Sequence, residues 1–308
     1  MRELDVGIPF TRHSDLGVRL GRRHVNTLLA DGALTQPLRG VYVLGELADD
    51  LMSRAAAVTL ALPPGAALCR GTAAWLFGLG DVRGPGLVPT PADVECVVTT
   101  GATPVRRAGL RCYQALLGPE DLVLVRGLWC TTPERTAADL ARWLPRPMGL
   151  AALDAFAHRN LIDLDLVQMQ LERAIGHPGV AVARGLLPLV EPDTESFGES
   201  WLRLRICDAG FPRPQAQVWV RDLHGHPVYR LDLAYPNLRI GLEYDGFQDH
   251  GSSANVAKDD VRRDRLRREF GWQVTGFHRG HVLGQQLHVE RAVGELLGQA
   301  PGISRRAW

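Results

Sequence analysis

Eighteen residues, Val228 to Asp245 (VYRLDLAYPNLRIGLEYD), restrict the possible folds more than any other part of this chain. Val228–Ala234 sets Leu231 and Leu233 on one side and Arg230 and Asp232 on the other. Arg239–Asp245 sets Ile240, Leu242 and Tyr244 against Glu243 and Asp245. Both halves have the period of two that belongs to a strand. Tyr235-Pro236-Asn237-Leu238 fits between them as a turn, because proline pre-sets φ and asparagine tolerates the left-handed well. Counting outward from that turn puts Ala234 opposite Arg239, Asp232 opposite Gly241 and Arg230 opposite Glu243. Asp232 and Glu243 are then diagonal neighbours on one face, roughly 7–8 Å apart. At that separation two carboxylates can share one hard cation, with Gly241 leaving room for it. Without a cation they repel and raise each other's pKa. An edge hairpin with a solvated polar face fits the same pattern.

The flanking residues extend the pattern. Ser196–Ala209 has Phe197, Trp201 and Leu204 at helical spacing, and Gln217–Asp222 alternates as a strand. After Gly246 a polar stretch ends in Asp249-His250. A charged helix is expected near Ala257–Phe270, stopped by Gly271. Trp272–Phe277 reads as another strand, with Trp272 packed in the core, and His281–Leu297 as a last helix. The order is helix, three strands, helix, strand, helix.

With an Asp ending the second strand and a Glu in the third, this order resembles the restriction-endonuclease-like core of the PD-(D/E)XK superfamily, and within it the very-short-patch-repair-like endonucleases. The resemblance covers residues from about Ser196 onward. It rests on Ser196-Phe-Gly-Glu199, Ala209-Gly-Phe-Pro-Arg-Pro214, Arg230-Leu-Asp232, Leu242-Glu-Tyr-Asp-Gly246, His250, Asp260 to Arg263 and Gly271-Trp-Gln-Val274. It implies Mg²⁺ (or Mn²⁺) held by Asp232 and Glu243, with Asp245 as an auxiliary ligand. It also implies His250 as proton acceptor or leaving-group helper and Glu199 as the acid of the first helix. Ser196-x-x-Glu199 is equally a capping box. Asp245 stands where the superfamily has lysine, so Lys258 or Arg263 would have to supply the positive charge. Arg262 and Arg263, in a run of arginines, read as a solvated helix face that doubles as a phosphate-contacting stripe.

Composition restricts the remaining classes. The chain has 308 residues, a formal net charge of +1 and one lysine, Lys258, so any basic surface is local. Its five cysteines lack zinc spacing and read as buried thiols in a reducing compartment. No signal sequence and no long apolar run is present, so a cytoplasmic protein without a membrane partner is expected. The absence of a G-x-x-x-x-G-K-[ST] loop argues against a nucleotide cofactor.

Toward the N-terminus, His13–Leu20 and Gly21–Ala30 read as helices and Leu34–Leu44 as a wing. Between Arg12 and Arg39 there are five arginines against two aspartates. Arg19, Arg22, Arg23 and His24, with Arg39 in the wing, are placed for DNA contact; a capping domain with solvated arginines fits as well. Farther on, Leu51–Leu79 reads as helical, Asp93–Thr99 and Arg111–Gln114 as strands. Thr131-Thr-Pro-Glu134 opens a helix capped by Thr131, with Arg135 and Asp139 as a surface pair. Gly40-Val41-Tyr42 and Arg135-Thr-Ala-Ala-Asp-Leu140 are similar to AbiEi-type antitoxins.

The expectation is therefore an α/β chain, α+β overall. Residues 1–50 form a winged helix-turn-helix, 51–190 a mixed α/β interaction domain and 191–308 the endonuclease-like core (αβββαβα). The implied function is a metal-dependent DNA endonuclease of bacterial defence, toxin–antitoxin or repair type. The alternative is a non-catalytic DNA-binding antitoxin or regulator with a degenerate nuclease-like domain. The partner is DNA, with a cognate toxin protein as a further candidate.

Overall fold

In this computed structural model, residues 10–12, 20–38, 41–45, 51–60, 62, 65–79, 93–106, 109–246, 253–306 and 308 are described. The chain forms two compact units, 1–140 and 141–308. The divisions expected at residues 50 and 190 coincide with neither edge.

The first unit starts with β1 (Phe10–Arg12), α1 (Arg22–Ala30), β2 (Leu34–Leu38) and β3 (Val41–Leu44), the strands ordered β1-β3-β2. Strand β3 alternates between two cores. Tyr42 packs with Val25 of α1 and Leu34, whereas Val41 and Val43 join α2 (Leu51–Thr59), α3 (Arg70–Leu76) and the large sheet. That sheet has the order β6-β5-β4-β8-β7, formed by β4 (Ala67–Leu68), β5 (Val94–Thr99), β6 (Leu110–Ala115), β7 (Leu122–Val125) and β8 (Leu128–Thr131). The residues before 50 and after it thus share a core, which is why no boundary falls there. Arg126 and Gly127 close the β7–β8 hairpin, both with positive φ (49° and 79°), as a two-residue turn of matching twist requires.

Helix α4 (Pro133–Trp143) starts one residue later than the expected cap implies. Thr132 Oγ1 accepts the Arg135 N–H at 3.3 Å, while Thr131 Oγ1 pairs with Thr136 Oγ1 at 2.7 Å. Arg135 meets Asp139 at 2.9 Å and also the fully buried Asp121 at 3.4 Å. At 12% side-chain exposure it joins a mostly buried network, not a surface pair.

The second unit contains α5 (Arg146–His158), α6 (Leu164–Arg173), α7 (Val180–Leu186), α8 (Phe197–Asp208), β9 (Gln215–Arg221), β10 (Pro227–Tyr235) and β11 (Ile240–Tyr244). It ends with α9 (Ser253–Phe270), β12 (Gln273–Phe277), α10 (Arg279–Leu283) and α11 (His288–Leu297). The order helix, three strands, helix, strand, helix is present, the last helix being broken in two at Gly284. The sheet runs β12-β11-β10-β9, with β11 and β12 parallel across the α9 crossover. Helices α8, α10 and α11 cover one face with Trp201, Leu202, Val282 and Val289. Helix α9 covers the other with Leu266, against Trp272 and Val220.

Helix α8 is buried nearly throughout and carries two arginines into the interior. Each meets an acid from another helix: Arg203 meets Asp154 of α5 at 2.5 Å, and Arg205 meets Glu290 of α11 at 2.5 Å, all four at 1% side-chain exposure or less. Buried charges persist only when paired and hydrogen-bonded, and these pairs fasten α8 to both neighbours.

Two expectations for the central hairpin are corrected. The reversal uses Pro236-Asn237-Leu238 as a 3₁₀ turn and Arg239 in the left-handed region (φ 54°, ψ 41°). The register is therefore Tyr235↔Ile240, Ala234↔Gly241 and Leu233↔Leu242, two residues from the expected one. Arg239 holds this conformation because its carbonyl accepts the Gln273 N–H at 2.8 Å. Secondly, Leu231 and Leu233 do not share a face: Leu231 packs with Leu266 under α9, Leu233 with Trp201 and Leu202 under α8. Strand β10 changes face between them, beside Gln217 of β9, whose φ of 51° is foreign to a regular strand. Gly241 does not make room for a cation; a Cβ there would meet Leu231 Cδ1 at 2.9 Å.

Candidate functional site

The face change at Asp232 creates the site. The β10–β11 ladder stops at Leu233↔Leu242, and beyond it the Asp232 carboxylate accepts the Tyr244 N–H at 2.8 Å. Asp232 thus stands in for a backbone acceptor where the two strands splay. Glu243, 5% exposed, takes Arg262 Nη2 from α9 at 2.7 Å. Asp245 takes Arg263 Nη2 at 2.7 Å.

Glu199 comes from α8, on the far side of the sheet. Ser196 caps its helix, accepting the Glu199 N–H at 3.2 Å, and Glu199 Oε2 accepts the Glu195 N–H at 3.1 Å. The same oxygen accepts Gln217 Nε2 at 2.8 Å. Glu199 therefore serves as a helix cap and as a member of the acidic group.

The acids feel one another. Burial, foremost, pushes the carboxyl groups of Glu199, Asp232 and Glu243 above their ordinary range. The charge of Asp232 adds to the effect on Glu199, and Asp245 adds to the effect on Asp232 and Glu243. Arg262 opposes it at Glu243, and the Tyr244 N–H opposes it at Asp232. The arrangement stabilises charge by arginine and backbone donors and not by a shared centre. Among the described residues no three His, Cys, Asp or Glu side chains are grouped to hold a metal ion. As placed, Asp232, Glu243 and Asp245 each have their own N–H donor and do not fit a common cation.

Arg262 and Arg263, expected to contact DNA, instead face the sheet and neutralise Glu243 and Asp245. Arg263 thereby sets a positive charge beside Asp245. Lys258 lies in α9 with its side chain outside the described residues, and His250, Arg19 and Arg39 lie outside them altogether. Trp272 is buried as expected.

Gln217 belongs to the site and was not legible beforehand. Its amide nitrogen binds Glu199, its Oε1 is buried without a hydrogen-bond partner, and its backbone is left-handed. Only a strand position with an unexplained polar residue inside QAQVWVR could have hinted at it.

A second candidate surface lies on α1. Val25 is buried against Leu34 of β2 and Tyr42 of β3, whereas Arg22, Arg23, His24, Asn26 and Thr27 are exposed. No helix among the described residues is long and apolar enough to cross a membrane.

Comparison with known proteins adds the following. Residues 66–189 match the family described as the AbiEi antitoxin C-terminal domain. That span holds Arg135–Leu140 but not residues 1–50, from which the winged helix was read. The chain is 32% identical over 257 residues to the uncharacterized protein MT2308 of Mycobacterium tuberculosis (strain CDC 1551 / Oshkosh). The alignment covers 82% of this chain and 88% of that one. The uncharacterized protein Rv2248 of strain ATCC 25618 / H37Rv matches with the same identity and coverage. The crystal structure of the RV2827C protein from Mycobacterium tuberculosis is a distant likeness, with a TM-score of 0.44, 17% identity, and coverage of 59% of this chain and 73% of that one.

Proposed function

The chain belongs to one family with these uncharacterized mycobacterial proteins and carries the AbiEi antitoxin C-terminal domain at 66–189, and on that premise we propose a DNA-binding protein of toxin–antitoxin or defence type. The observation that carries the reading is the exposed row Arg22, Arg23 and His24 on α1, beside a short β-ribbon. A helix end of this kind can enter a major groove, with the ribbon against the adjoining backbone. A cognate toxin is the second partner in this reading, and the acidic core of the second unit is structural, its carboxylates latched by Arg262 and Arg263.

The test is fluorescence anisotropy of the full chain on labelled duplexes, including the DNA upstream of its own reading frame. Binding that weakens steeply with salt supports the reading. Equal binding by the wild type and by an Arg22→Ala, Arg23→Ala double variant would overturn it.

A second reading, a Mg²⁺- or Mn²⁺-dependent endonuclease, is favoured by one observation: Asp232 of β10 lies beside the end of β11, where Glu243 and Asp245 stand. It requires Arg262 and Arg263 to leave them. Plasmid nicking with either metal, abolished in Asp232→Asn, would establish it; the same result with both proteins excludes it.

A further inference from the structure

The second unit has a half-open cavity of about 530 Å³ that neither reading uses. Arg146, Arg205 and Arg306 line it together with Asp208, Glu290 and Trp308. Most of this charge is committed. Arg205 gives one edge of its guanidinium, Nε and Nη2, to Glu290 at 2.7 and 2.5 Å, and its remaining donors to the carbonyls of His281, Val282, Gly284 and Gln286. Asp208 accepts from Arg146 and, at 2.6 Å, from Trp308 Nε1.

Arg306 is different. Its Nη1 reaches the Leu283 carbonyl at 3.0 Å and that of Gly284. Its Nε is buried without a partner, and no carboxylate among the described residues forms an ion pair with it. Burial, and then the charge of Arg205, lower its affinity for its proton, and the charge of Glu290 partly opposes them. A partly buried guanidinium with an unpartnered Nε and no carboxylate bonded to it gains from an anion that completes it. Its carbon lies 4.2 Å from the centroid of the Trp308 ring, so the charge sits on a flat aromatic surface. Leu144, Val182 and Ile303 give the wall an apolar part, and Arg142 and Gly179 complete the lining.

We infer that this cavity binds a small organic anion, one phosphate or carboxylate group on a flat apolar body, with Arg306 as counter-charge and the apolar wall receiving the body. The volume falls within the range of about 300–1,000 Å³ common to small-molecule sites. Arginine presents a planar fork suited to such oxyanions.

The experiment is calorimetric titration of the full chain with 1-naphthyl phosphate, with inorganic phosphate and 1-naphthol as separate titrants. Saturable one-to-one binding is expected for the first, with each control weaker by about tenfold or more. Arg306→Gln should weaken binding by about tenfold. Arg306 also ties down two carbonyls, so Val182→Glu, at a helix position 45% exposed, serves as a second variant. It should weaken binding by roughly fivefold through charge repulsion while leaving the unfolding midpoint unchanged. No saturable binding by the wild type, or wild-type affinity in both variants, overturns the site. Inorganic phosphate binding as tightly as 1-naphthyl phosphate overturns the role of the apolar wall.

Discussion

Glu243 and Arg262 meet at 2.7 Å, the side chain of the acid 7% exposed on β11 and that of the base 35% exposed on α9. Burial raises the Glu243 pKa and Arg262 pulls it back, so removing Arg262 raises it further. A carboxyl whose folded pKa lies above its unfolded value loses stability as pH rises through the folded pKa. Arg262→Gln should therefore cost about 1–2 kcal/mol at neutral pH, a figure reduced for the solvent reaching Arg262. The cost should shrink toward pH 4. Urea unfolding at both pH values measures this, and an equal loss at each would contradict it.

Asp232→Asn should behave in the opposite sense. Its carboxyl is raised chiefly by burial, so its stabilising contribution is complete below the ordinary aspartate range and declines as pH rises. The amide can still accept the Tyr244 N–H without acquiring charge. Relative to wild type, the variant's unfolding midpoint should rise between pH 4 and 7. A difference that is flat or falls with pH would refute this.

Glu290→Gln should cost about 3–5 kcal/mol, because Arg205 would be left as a buried charge without its anion. Replacing both residues with methionine should cost less than either single change, since no charge is then stranded. Chemical denaturation of the three variants decides it; a Glu290→Gln protein of wild-type stability would show the pair to be dispensable.

Gly198 lies on α8 where a Cβ would run into the ring of Tyr244. Gly198→Ala should destabilise by about 1–3 kcal/mol, the usual cost of overpacking, and displace Tyr244 from its place beside Glu243. Near-ultraviolet circular dichroism with a thermal scan would register both effects. Neither would appear if the ring could swing aside freely.

The salt dependence of DNA binding gives a test of α1. For every phosphate the protein no longer neutralises, the slope of log K against log salt concentration should fall by about 1. Removing Arg22 and Arg23 together should then lower it by about 2. An unchanged slope would place the DNA elsewhere on the molecule.

The elements of the second unit were largely legible in the sequence. Ser196 before Glu199, Gly271 after α9 and the WQVTGF strand are local signals, set by capping, backbone freedom and alternation. The site was legible only in part. Alternation put Leu231 and Leu233 on one face, and the left-handed Gln217 across the sheet reversed it. Turn chemistry pointed to Pro236 but not to Arg239 as the left-handed residue, which displaced the register by two.

Capping, alternation and glycine stops account for most of the helices and strands, and they place Asp232 and Glu243 on neighbouring strands. Those outcomes depend on interactions between residues close along the chain. The partners of those acids come from packing across the fold. Arg262 and Arg263 reach Glu243 and Asp245 across 18 to 19 residues, and Arg205 reaches Glu290 across 85. Buried charge takes whatever counter-charge packing brings within reach, and no local pattern records which one that is.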